Sequence, residues 1–269
     1  MKKFSMRRRQ PLAALVVLLL ALPGTGALYV TFAPTSEARA DRTAQSLAIE
    51  EGRELYTVGC ASCHGTGGQG TTDGPSLVGV GAAAVDFQVG TGRMPAQQPG
   101  PQVPEKRNIY SQAEIDQLAA YVASLGPGPD VPTEEQYSPE GADIAAGGDL
   151  FRTNCAQCHN FIGKGGALTH GKYAPSLEGV APKFIYEAML TGPQNMPSFP
   201  DSTLTQQNKK DIIAYLNEVN GDDTVSPGGM ELGGLGPVPE GLFGWIFGLG
   251  GLIAAAVWVA ARTAKARRS

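Results

Sequence analysis

The chain has 269 residues, room for one or two domains of ordinary size, and 42% of it is apolar, which places it among folded rather than disordered proteins. Its formal net charge is -4 at pH 7, with basic clusters at the two chain ends. Nucleic acid is excluded as a partner, because phosphate binding needs a basic face. Basic ends beside apolar runs point instead to a membrane.

Lys2, Lys3, Arg7, Arg8 and Arg9 open the chain, no charge follows until Glu37, and Leu12 to Phe32 is almost wholly apolar. Residues 1–40 therefore have two readings. As a signal peptide they offer a basic start, an apolar middle and small residues at Ala38-Arg39-Ala40 before Asp41. As a retained anchor they offer about 20 apolar residues, the length that crosses a bilayer. Pro23, Gly24 and Gly26 weaken that helix without forbidding it.

Residues 41–126 form a first domain. Its motif is Cys60-Ala61-Ser62-Cys63-His64, followed by Gly74-Pro75-Ser76-Leu77, Arg93-Met94-Pro95 and a helical pattern from Glu114 to Leu125. Ser111-Gln112-Ala113-Glu114 is a capping box for that helix. A proline- and glycine-rich linker, 127–142, reads as an extended, semi-rigid spacer. A second domain, 143–221, repeats the first. At an offset of 95, Gly52 falls on Gly147, Leu55 on Leu150, Tyr56 on Phe151, and the first motif on Cys155-Ala156-Gln157-Cys158-His159. Pro75 then matches Pro175 and Met94 matches Met196, so the offset grows through loop insertions. The second closing helix is expected from Lys209 to Val219. Neither copy shows a strand alternation of any length, so the fold class is all-α.

A glycine-rich strap, 222–239, leads to a charge-free run between Glu240 and Arg262. As a helix rising about 1.5 Å per residue, Leu242 to Ala261 covers roughly 30 Å, the thickness of a hydrocarbon core. Trp245 and Trp258 lie near its ends and Arg262, Lys265, Arg267 and Arg268 follow, so 240–262 reads as a transmembrane helix and 263–269 as a basic cytoplasmic tail. If the first segment is retained, both termini are cytoplasmic and residues from about 38 to 238 lie outside the cell membrane.

Cys-x-x-Cys-His is the attachment motif of a c-type haem. On one helical turn two thiols three residues apart reach the same porphyrin edge, and the next imidazole meets the iron. The motif occurs twice and uses all four cysteines, so two covalently bound haem c groups are expected. A four-thiolate zinc site is the competing reading, but some 90 residues separate the pairs and zinc gives no reason for a His after each. A thioredoxin-like dithiol lacks its βαβ surroundings. His64 and His159 are the candidate proximal ligands. Met94 and Met196, each before a proline, are the candidate distal ligands, the alternative being methionines that only pack on the haem. Met189 reads as a core residue, Met230 falls in the strap, and His170 reads as a surface or haem-edge residue, the alternative being a replacement ligand.

With Cys-x-x-Cys-His first, a Pro-x-Leu loop next and Met-Pro before the last helix, each copy resembles a small class I cytochrome c. That resemblance implies that Pro75 and Pro175 offer their carbonyls to the proximal imidazoles. The whole order of anchor, two haem domains and C-terminal membrane helix is similar to the dihaem cytochrome c subunit of the actinobacterial cytochrome bc1 complex. It implies an electron-transfer subunit of a quinol–cytochrome c reductase and translocase, with no substrate-converting site of its own. The implied partners are cytochrome b, the Rieske iron-sulfur subunit and a cytochrome c oxidase in a supercomplex. A freestanding membrane-tethered shuttle and a dihaem redox enzyme are the alternatives.

Overall fold

The computed structural model describes residues 11–32, 36–98, 100, 102–220 and 237–266; Met230 and most of the strap lie outside the described residues. Two units divide the chain after Ala48. The first contains α1, Pro11–Phe32, and the beginning of α2, Ser36–Gly59. Ala14–Thr31 is long and apolar enough to cross a membrane. Thr25 and Thr31 donate their hydroxyls to the carbonyls of Ala21 and Ala27, so their polar groups are satisfied within the helix.

The second unit holds two helical beads. In the first, α2 runs into a single turn, α3 (Ala61–His64), followed by α4 (Gly81–Gly90) and α5 (Gln112–Ser124). Ser111 accepts from the Glu114 amide while Glu114 accepts from the Ser111 amide, the reciprocal cap legible in the sequence. After a one-turn α6, Glu134–Tyr137, the second bead comprises α7 (Ile144–Asn154), α8 (Ala156–His159), α9 (Pro182–Thr191) and α10 (Gln206–Asn220). A two-residue antiparallel pair, β1 (Gly166–Ala167) on β2 (Tyr173–Ala174), is the strand structure among the described residues. Toward the C-terminus, α11 (Pro237–Gly244), a π-helical stretch (Trp245–Leu249) and α12 (Gly250–Ala266) run end to end. Gly241–Arg262 has the length and composition of a membrane span, and the Arg262 guanidinium lies 4.3 Å from the Trp258 ring centroid.

In each bead the first and last helices meet at a glycine. A Cβ on Gly52 would stand 1.9 Å from the Gln117 carbonyl oxygen, and one on Gly147 would stand 1.9 Å from the Asp211 carbonyl oxygen. The obstacle is backbone, so a substituted side chain cannot be relieved by a rotamer change. Around each crossing lies an apolar core. Tyr56, Val85, Ile115, Leu118 and Val122 form the first; Phe151, Ile185, Met189, Ile212 and Leu216 are among the residues of the second.

The linker, expected to be an extended spacer, is packed against the first bead at its start. Gly128 and Pro129 pack on Gly81, and the Pro129 carbonyl accepts from the Ala83 amide. The beads touch directly. Lys183 on α9 pairs with Asp86 on α4 at 2.7 Å, and Phe87 meets Phe184 edge to face at 6.3 Å. Two glutamines then act as backbone mimics. The Gln102 amide both donates to and accepts from the Tyr173 backbone, and the Gln194 amide does the same with Val103.

Glu187 is fully buried at this junction, and its pKa is pushed up from 4.5 to about 9 by burial and by Asp86, against the opposing pull of Lys183. At neutral pH it therefore carries a proton and is able to donate to Asp86.

Two predictions follow from this packing. Alanine raises helix propensity by about 1 kcal/mol over glycine, but overpacking costs about 1–3 kcal/mol and here falls on backbone. Gly147→Ala should therefore destabilise the second bead, by up to about 2 kcal/mol net, in denaturant unfolding. Because the folded state holds a proton on Glu187 that the unfolded chain releases, this group favours folding most below its ordinary pKa. That contribution declines as pH rises toward and through about 9. Thermal unfolding from pH 5 to 10 should show this loss in the wild type and a flatter profile in Glu187→Gln.

Candidate haem sites

The two cysteine motifs fold alike because they end alike. The amides of Cys60 and Cys155 donate to the carbonyls of Tyr56 and Phe151, each at 2.8 Å, closing α2 and α7. The chain then turns, and the amides of His64 and His159 donate to Cys60 and Cys155 carbonyls at 2.9 and 3.0 Å. That single turn puts both sulfurs and the imidazole on one side. The carbonyls of His64 and His159 next accept from Gly70 and Gly165, both at positive φ. A side chain at either glycine would run into the Pro75-Ser76 or Ala174-Pro175 backbone, so the proline loop lies flat against the turn.

This loop sets the imidazoles. His64 Nδ1 donates to the Pro75 carbonyl at 2.8 Å, and His159 Nδ1 donates to the Pro175 carbonyl at 3.0 Å. A carbonyl only accepts, so the proton sits on Nδ1 and the lone pair is left on Nε2, the nitrogen a metal requires. His64 is buried. For His159, burial pushes the pKa down and so favours the neutral ring needed for ligation, outweighing the opposing Pro175 hydrogen bond.

Burial and the neighbouring cysteine push the Cys60 and Cys155 thiols up to about 11. That is the reverse of the low-pKa thiolate of a redox dithiol. Among the described residues no group of three or more His, Cys, Asp or Glu side chains is arranged to hold a metal ion, so the two pairs do not make the four-thiolate zinc site.

A cavity of about 740 Å³ lies in the second bead, its wall completed by residues of the first, in the range of roughly 300–1,000 Å³ usual for small-molecule sites. Cys155, Cys158, His159 and Met196 line it, with Phe151, Ile185, Met189, Phe199 and Ile212 as apolar walls. Thiols and imidazole at one wall, a thioether in the same lining and hydrocarbon between them fit a haem c. In the first bead Met94 and Cys60 both pack against the same core cluster. Met189 is buried core, as read from its helix position, and also faces the cavity. His170 lies exposed in a turn at φ 58, outside the cavity lining.

Several positioning residues escape motif reading. The Tyr56 hydroxyl donates to the Gly65 carbonyl at 2.6 Å, holding the loop after the first motif. The second bead has Phe151 in that place, and Tyr215, from the last helix, donates to the Phe161 carbonyl at 2.7 Å instead. The Tyr-to-Phe exchange between the repeats was the available signal. Lys106 donates to the carbonyls of Gly92, Arg93 and Pro95, bracketing Met94. No repeat partner marks it, because the segment that carries it has no counterpart in the second bead.

Residues 49–126 match the cytochrome c family, and residues 142–216 match the family described as cytochrome c oxidase, cbb3-type, subunit III. At full length the chain is similar to proteins described as cytochrome bc1 complex cytochrome c subunits. It is 47% identical to that of Corynebacterium efficiens, over 97% of this chain and 94% of the relative. It is also 47% identical to that of Mycobacterium tuberculosis, over 96% and 93%. With the Corynebacterium diphtheriae protein it shares 44% identity over 97% and 99%. Two beads of cytochrome c type, two apolar helices and this likeness across nearly every residue agree: the chain belongs to the family of cytochrome bc1 complex cytochrome c subunits.

Proposed function

We propose that this chain is the fixed electron carrier of a respiratory quinol–cytochrome c reductase, with one haem c in each bead. Electrons enter from a Rieske iron-sulfur subunit beside cytochrome b and leave to the copper centre of a cytochrome c oxidase held in the same assembly. The observation that carries this reading is the likeness along the whole chain to bc1 subunits, in a protein whose two beads repeat one histidine-on-proline geometry.

Bound haem c supplies a one-electron iron couple. The chain's own residues attach it, ligate it and keep water away. Cys60 and Cys63 in the first bead, and Cys155 and Cys158 in the second, supply the thioether sulfurs. Nε2 of His64 and of His159 would ligate the iron, while the Pro75 and Pro175 carbonyls fix each ring and raise its basicity. Met94 and Met196 would supply the second ligand, a thioether, to each iron. Thioether ligation raises the potential relative to two histidines and leaves no open position for oxygen or peroxide, which suits transfer rather than catalysis. Quinol oxidation and any proton translocation then belong to the neighbouring subunits.

The charge pattern supports an orientation. Basic residues follow the C-terminal span and precede the N-terminal one, so both termini face the cytoplasm if the first segment is retained, and the beads lie outside.

Two measurements test the assignment. Intact mass should show two haem additions, and Met94→Ala and Met196→Ala should each abolish the long-wavelength sulfur-to-iron absorption of one haem while sparing the other. Retention of the full band in either variant would show that the substituted methionine is no ligand. Extraction in mild detergent should bring cytochrome b and a Rieske protein along with the chain. A dihaem protein that reproducibly comes away alone would overturn the complex in favour of a freestanding shuttle.

A further inference from the structure

The cavity of the second bead is not built by the second bead alone. Its lining includes Phe87, Arg93, Gln102, Val103, Lys106 and Asn108, all from the first. The chain runs 17 residues from Met94 to the cap Ser111, against 9 from Met196 to Thr205, and the extra length carries residues 102–108 across the junction. The two glutamine clamps hold it there: Gln102 on the Tyr173 backbone, and Gln194 on the Val103 backbone.

The charges of this lining are distributed unevenly. Its lysine and arginine side chains, Arg93 and Lys106, both belong to the first bead. Glu178, an acidic residue from the second, is paired with Lys164 at 2.8 Å. The Lys106 ammonium is taken up by the carbonyls of Gly92, Arg93 and Pro95. Arg93 is left with little. Its side chain is 11% exposed, its guanidinium lies 4.9 Å from the Phe87 ring centroid, and its acidic neighbour Glu105 is 3.5 Å away and 63% exposed. A guanidinium this buried needs an anion, and a solvated carboxylate beyond good hydrogen-bond length compensates it weakly. In the repeat, the position of Arg93 is taken by Asn195, which donates no charge.

We propose that Arg93 of the first bead is the charge partner of a carboxylate of the haem bound in the second bead. The inference rests on the reading of the cavity as a haem site. A haem brings two propionate carboxylates, and the planar five-donor fork of an arginine matches a carboxylate bidentately. The first bead thereby completes the cofactor site of the second, and the cation beside that haem raises its potential by opposing the extra positive charge of the ferric state.

The test is a redox titration of the full-length detergent-solubilised holoprotein, with Met94→Ala and Met196→Ala used to assign the two potentials. Arg93→Gln should lower the potential of the haem assigned to Met196 by more than that assigned to Met94. Arg93→Lys should recover part of the loss. Glu105→Gln, at an exposed position where folding is not at stake, should raise the same potential by leaving Arg93 less compensated. With two haems present by mass, a shift confined to the Met94 haem, or none at the Met196 haem in any variant, overturns the inference. A mass showing no haem on the second bead overturns the site reading beneath it.

Discussion

Both beads depend on a place where two helices have no room for a side chain between them. At Gly52 and at Gly147 the first helix lies on the carbonyl of the last, and nothing larger than hydrogen fits. That contact sets where α2 crosses α5 and where α7 crosses α10, and the cysteine turns follow on the first helix of each pair. The proline loop fills the remaining side and accepts a hydrogen bond from the histidine Nδ1, so the ring tautomer is set by backbone geometry before any cofactor is present.

Much of this was legible in the sequence because it is local. Cys-x-x-Cys-His is a one-turn device, Ser111 to Glu114 is a one-turn cap, and both read directly from spacing. The glycines at the crossings were visible as repeat matches, although their reason, a carbonyl some 65 residues away, was not. The helical class was carried by periodicity, and among the described residues the short β1–β2 pair is the strand structure that stands outside it. What stayed hidden is long-range and polar. Gln102 and Gln194 are exposed glutamines in irregular segments, and nothing in their neighbourhood says that they bind backbone 71 and 91 residues distant. The proline-rich linker looked like a spacer because composition reports stiffness and says nothing of what the segment lies against; here Gly128 and Pro129 are packed on the start of α4.

The repeat has also drifted where physics allowed an alternative. One hydroxyl is needed to hold the loop after the motif, and Tyr56 supplies it from the first helix while Tyr215 supplies it from the last. The apolar ring of Phe151 keeps the packing that Tyr56 provides in the other copy, stacked obliquely on Tyr215 as Tyr56 is on Tyr121. At the junction, by contrast, the beads have become different on purpose-built faces. Asp86 and Lys183 answer each other across it, and Glu187 sits beside them with its proton retained.

The longer loop of the first bead has a consequence for how the molecule can be taken apart. Residues 102–108 form a wall of the neighbouring cavity, so a cut in the linker does not separate two self-sufficient cytochromes. The first half would keep its helices and carry an orphaned flap. The second would open its hydrocarbon interior to water on the side that flap had covered, with a wetter, higher-dielectric surrounding for whatever charge it held. Repetition made two copies of one bead; the loop made them parts of a single object.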